Sequence, residues 1–75
     1  MNKDRRRRLL TIMRQADILL EQLQGLQEEE QEAIDNTPEG LQCTDRFADI
    51  EVAAEAMAEA ADAMRDIISS LEGIV

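Results

Sequence analysis

From Phe47 to the last residue, the apolar side chains fall at Phe47, Ile50, Ala54, Met57, Ala61, Met64, Ile68, Leu71 and Val75. The spacing alternates three and four without a miss, the a/d seam of a helix that packs lengthwise against other helices. A further set, Ala53, Ala60, Ile67 and Ile74, recurs every seven residues beside it, at heptad position g. The apolar face is thus three positions wide in seven, the width of a bundle helix rather than of a two-stranded coiled coil.

The first half of the chain carries the same face. Leu9, Ala16 and Leu23 take d, Met13, Leu20 and Ile34 take a, and Ile12, Leu19, Leu26 and Ala33 take g. Two helices with one shared pattern predict an all-α antiparallel hairpin, with helices over about 4–36 and 44–73 and a loop over 37–43. Asn2 or Asp4 can cap the first helix and Thr44 or Asp45 the second. Pro38 disfavours helical geometry at Thr37, and Thr37-Pro38-Glu39-Gly40 reads as a type I turn. Leu41, the large apolar residue of the loop, is expected to plug that end of the bundle. Facing residues should sum to about 81, setting Ile34 against Phe47, Leu23 against Met57 or Ala58, and Leu9 near Leu71.

One hairpin partner covers only part of a face this wide. A chain of 75 residues also needs disulfides, metal, ligand or self-association to bury enough surface. One cysteine excludes an internal disulfide, and with no histidine there is no zinc set, so no cofactor or metal is expected. Self-association remains, most simply as a dimeric four-helix bundle. Its interface is expected along the second helix, through Phe47, Ile50, Ala53, Ala54, Met57, Ala60, Ala61, Met64, Ile67, Ile68 and Leu71. The alanines at 53, 54, 60 and 61 leave the middle flat enough for close approach. Helix propensity alone accounts for some of the alanines equally well.

Between Leu26 and Ala33 the seam is interrupted by QEEEQE, with Gln27 and Glu30 at a and d. These residues form either a solvated end of the bundle or a polar layer that fixes register and subunit number. Ile18 and Val52, at f, are too few for an exposed patch.

Charge is divided unevenly. Residues 1–14 hold Lys3, Arg5, Arg6, Arg7, Arg8 and Arg14 against Asp4, a balance of +5. Residues 15–75 hold Arg46 and Arg65 against 16 carboxylates, a balance of −14, for a total of −9. Arginines in the first turns of a helix face the positive end of its dipole at a cost of a few tenths of a kcal/mol each, so local stability does not call for them. They can form ion pairs between subunits, near Asp66 and Glu72, or a solubilising tail. As a third reading they form a phosphate site, since guanidinium forks bind phosphate bidentately. Arg46 interrupts the g set, where it can bridge to Glu30 or Asp35 or form an anion site with the start of the second helix. Long nucleic acid is disfavoured, because the acidic body repels it and there is no Tyr or Trp for stacking. A small anion, or an acidic surface mimicking DNA toward a protein, fits this charge map.

Glu28-Glu29-Glu30-Gln31-Glu32 fits EExxE and Glu59-Ala60-Ala61-Asp62 fits ExxD, which resembles the magnesium signature of the all-α nucleotide pyrophosphohydrolases. Glu29, Glu32, Glu59 and Asp62 take c, f, f and b positions, all turned from the seam, so an enzyme is not expected. Cys43, Ser69 and Ser70 have no histidine to serve as base. Cys43 is expected as a small buried loop residue. No apolar run approaches a membrane span and no signal pattern opens the chain, which with one thiol points to a reducing cytosol.

The loop, EEEQEAIDNTPEGLQCTDR, resembles short helical-hairpin proteins of bacterial phages and mobile elements with a D-N-x-P-E-x-L-Q motif. The matching residues are Asp35, Asn36, Pro38, Glu39, Leu41, Gln42, Thr44 and Arg46, within about 28–60. The resemblance implies a phage or mobile-element context and no particular activity; tiny non-enzymatic phage proteins frequently act against host defence, which is the role expected here, in the host cytosol. Such a protein would sequester a nucleotide-type anion at Arg5–Arg8, Arg14 or Arg46, or block a host defence protein with its acidic surface. A structural assembly module without ligand is the remaining reading.

Overall fold

The computed structural model describes Met1–Val75. Two long helices, α1 (Lys3–Asp35) and α2 (Asp45–Glu72), pack against each other as an all-helical hairpin 59 Å long and about 15 Å across. Asn2 caps α1 by accepting a hydrogen bond from the Arg5 amide at 2.8 Å. Thr44 caps α2, accepting from the Phe47 amide at 3.3 Å while its hydroxyl donates to the Leu41 carbonyl at 2.8 Å. Side-chain caps of this kind each contribute about 1 kcal/mol by satisfying amides that have no partner inside the helix.

The turn sits one residue later than the proline-glycine spacing suggests. Pro38 is extended, at φ −60° and ψ 146°, and its carbonyl accepts from the Leu41 amide at 2.9 Å. A short 3₁₀ turn, Glu39–Leu41, follows. Pro38 therefore opens the turn instead of occupying its second position. Thr37 closes α1 by donating its hydroxyl to the Ala33 carbonyl at 2.7 Å, and the Gln42 amide group donates back to the Thr37 carbonyl at 3.2 Å.

Burial sorts the three apolar columns. Only Met13, Ala54, Ala61 and Ile68 are fully buried, all on the a/d seam. Leu9, Ala16, Leu20, Leu23 and Ile34 of α1 and Phe47, Ile50, Met57, Met64 and Leu71 of α2 are half-buried along the same line. The large residues of the third column stay in solvent, with Ile12, Leu19, Leu26, Ile67 and Ile74 each 54–57% exposed, and only the small Ala53 is half-buried. A single partner helix reaches two columns and leaves the third uncovered. Ile18 and Val52 are exposed as their f positions require.

Two loop expectations are overturned. Leu41 is 54% exposed and does not plug the bundle end. Cys43 is a free, exposed thiol, in the connection between the 3₁₀ turn and α2, outside both packed helices.

Gly25 lies at an exposed f position inside α1, and a Cβ built there would meet nothing within 4 Å. Gly25→Ala is expected to stabilise the chain by about 0.5–1 kcal/mol, since alanine removes unfolded-state freedom at no steric cost. A thermal melt should rise by several degrees; a fall would mean that a close neighbour occupies that flank.

Candidate anion site

The arginine run occupies the first turn and a half of α1. At 3.6 residues per turn, consecutive side chains radiate about 100° apart, so four arginines in a row cannot share one face. Arg5 and Arg8 do share a flank, where with Leu9 and Ile12 they line a shallow cavity of about 270 Å³. Arg6 and Arg7 point elsewhere around the helix, and Arg14 is exposed further along it.

These cations are largely without carboxylate partners. The ion pairs in the chain are Arg8–Asp4 at 3.3 Å and Arg65–Asp62, each within one helix turn and well exposed. Pairs so open to solvent contribute little and exchange readily. Arg5, Arg6, Arg7 and Arg14 have no acid within ion-pair distance, and none of the run reaches Asp66 or Glu72 of α2.

Arg46 is also free of the bridges expected to Glu30 or Asp35; Asp35 instead accepts from Gln31 at 3.1 Å. It lines a larger cavity, about 470 Å³, between the end of α1 and the start of α2. Ala33, Leu41, Phe47 and Ile50 supply apolar wall, and Asn36, Thr37 and Thr44 the polar groups. The exposure of Leu41 is thereby explained: it forms the lip of this cavity rather than its stopper. Sequence reasoning singled out Arg46 from its place in an apolar column, but gave no sign of the cavity, which depends on the path of the turn.

Arg5–Arg8 and Arg46 stand at opposite ends of the hairpin, so a single chain does not bring them into one site. The interface residues read from the sequence also separate. Ala54, Ala61 and Ile68 are covered by α1 and unavailable to a second subunit, whereas Ala60 and Ile67 are exposed. Phe47, Ile50, Ala53, Met57, Met64 and Leu71 are half-buried.

Gln27 and Glu30 are half-buried without side-chain hydrogen bonds. Glu29, Glu32, Glu59 and Asp62 are exposed, and no group of three acids or thiols converges as a metal ion requires. No helix is long and apolar enough to cross a membrane. No family model, curated protein or solved structure matches the chain.

Proposed function

We propose that the protein is a non-enzymatic, self-associating binding protein that takes up a small nucleotide-type anion at its arginines. The observation that carries this reading is the set of unpaired guanidinium groups. In a chain with 17 acids, Arg5, Arg6, Arg7, Arg14 and Arg46 are nonetheless left without carboxylate partners. Guanidinium groups left free of carboxylates suit phosphate oxygens, which they bind through paired hydrogen bonds. The loop motif supports a phage or mobile-element setting, with sequestration of a signalling nucleotide as the anti-defence act and the host cytosol as its place.

The test is thermal melting against a panel of mononucleotides, cyclic dinucleotides and short linear oligonucleotides. A binder should raise the melting temperature, and the double variant Arg5→Ala/Arg46→Ala, which removes the unpaired arginine from each of the two cavities, should lose that rise while keeping its own unliganded melt. No shift across the panel overturns the reading. The acidic alternative, a surface that blocks a host protein, is favoured by the concentration of charge in residues 15–61, where 13 carboxylates face the single cation Arg46. It predicts a host partner retained at low salt and lost when α2 acids are neutralised.

A further inference from the structure

The third apolar column asks what covers it. Both of its halves lie on the same side of the hairpin, because in an antiparallel helix pair the g positions of the two helices flank the seam together. The side therefore carries Ile12, Leu19 and Leu26 from α1 beside Ile67 and Ile74 from α2, every one more than half exposed. The accessible surface of the chain is 5811 Å². A compact monomer of 8.5 kDa has about 4,700 Å², so roughly 1,100 Å² is in excess. A standard interface covers about 800 Å² on each partner. The uncovered area is what one further copy would remove.

The geometry points to a second copy of this chain on that face, turned end for end, with α1 lying antiparallel on α1 of its partner. Two patterns on α1 choose this orientation. The g column reads Arg5, Ile12, Leu19, Leu26, Ala33 and is centred on Leu19, so reversal sets Ile12 against Leu26. The c column beside it reads Arg8, Gln15, Gln22, Glu29. Reversed about a point half a residue from that centre, a shift of under about 1 Å that side chains absorb, it sets Arg8 against Glu29 and Gln15 against Gln22, twice over by symmetry.

The other face-to-face arrangement, with both loops at one end, lays α1 on α2 and brings Glu29 within about 5 Å, along the axis, of Asp49, the acid in the c column of α2. Charge weighs the same way over the whole rod. Residues 1–14 and 62–75 make the open end net +3, and residues 15–61 carry −12. Reversal places the cationic end over the acidic one, whereas joining the loops stacks the acidic ends.

Reversal also has a consequence for the cavity at the turn. Arg5 of one copy arrives at the level of Ala33 in the other, and Ala33 and Arg46 line that cavity together. Arginines that a single chain keeps at opposite ends thus meet, one from each copy, at both ends of the bundle.

Cys43, free and exposed in the loop, reports the orientation directly. Spin labels on Cys43 of the full chain should show an intermolecular distance of about 50 Å, from 1.5 Å of rise per residue on either side of Leu19. A distance under about 25 Å, set by neighbouring 10–12 Å helix diameters, would mean loops together and overturn the proposal. So would a chain that stays monomeric at tens of micromolar by sedimentation.

Charge exchange tests the pairing. Arg8→Glu and Glu29→Arg should each weaken self-association about tenfold or more, since each sets like charges together twice. Mixing the two variants should restore a dimer, seen by native mass spectrometry as the heterodimer. If the mixture restores nothing, the Arg8–Glu29 pairing is wrong. None of these measurements uses a nucleotide, so the orientation and the ligand reading can fail separately.

Discussion

Ile68→Ala is expected to lower the unfolding free energy by about 2–4 kcal/mol, measured by urea denaturation followed through helical circular dichroism. Ile68 is 7% exposed on the seam, so truncation removes packed methyl groups and leaves a space that α1 cannot fill. For a chain of 75 residues the total is on the order of 4–11 kcal/mol, so this one change removes a large share of it. Ile67→Ala is the control. Ile67 is 56% exposed, and in dilute monomer its loss should cost under about 1 kcal/mol. If a second copy covers Ile67, its cost should grow with protein concentration, while the cost of Ile68→Ala is present throughout. Equal costs at the two positions in dilute solution would contradict the hairpin's register.

Ala61→Glu should be more damaging still. Ala61 is the most buried residue of the chain, at 3% exposed, near the middle of the α1–α2 contact. A carboxylate there is unpaired and desolvated, and its bulk forces the helices apart. The expected cost is about 3 kcal/mol or more, seen as loss of helix content at room temperature. Ala60→Glu, one residue earlier and exposed, leaves the hairpin intact because its side chain enters solvent. Should the Ala61 variant retain full helix content and its melting temperature, the two helices would not meet at that position.

The contrast within each pair marks the limit of what the sequence discloses. Period alone identifies three apolar columns and the two helices, since Phe47–Val75 and Leu9–Ile34 repeat the same spacing. It does not say which two columns one partner helix covers. That follows from packing geometry: a single helix reaches the a/d line, and the g column is left outside. The alanines expected to meet another subunit were split for this reason, with Ala54 and Ala61 covered by α1 and Ala60 left free.

The turn was less legible. Proline and glycine spacing located it to within one residue, but the extended ψ of Pro38 set its phase and with it the exposure of Leu41 and Cys43. Arginine identity and position were plain from the sequence. Whether acids neutralise them was not, because Arg46–Glu30 and Arg46–Asp35 bridges satisfy the same register rule and neither forms.

The length of the hairpin has an electrostatic consequence of its own. Antiparallel helices largely cancel one another's macrodipoles, so polarity along the rod belongs to the side chains. At 0.1 M salt, fields decay over about 10 Å, and even at 0.01 M over about 30 Å, both short of the 59 Å long axis. A body approaching one tip therefore senses that tip alone and not the average charge of −9. In solution the molecule behaves as two differently charged colloids joined by a spacer, with an isoelectric point that describes neither.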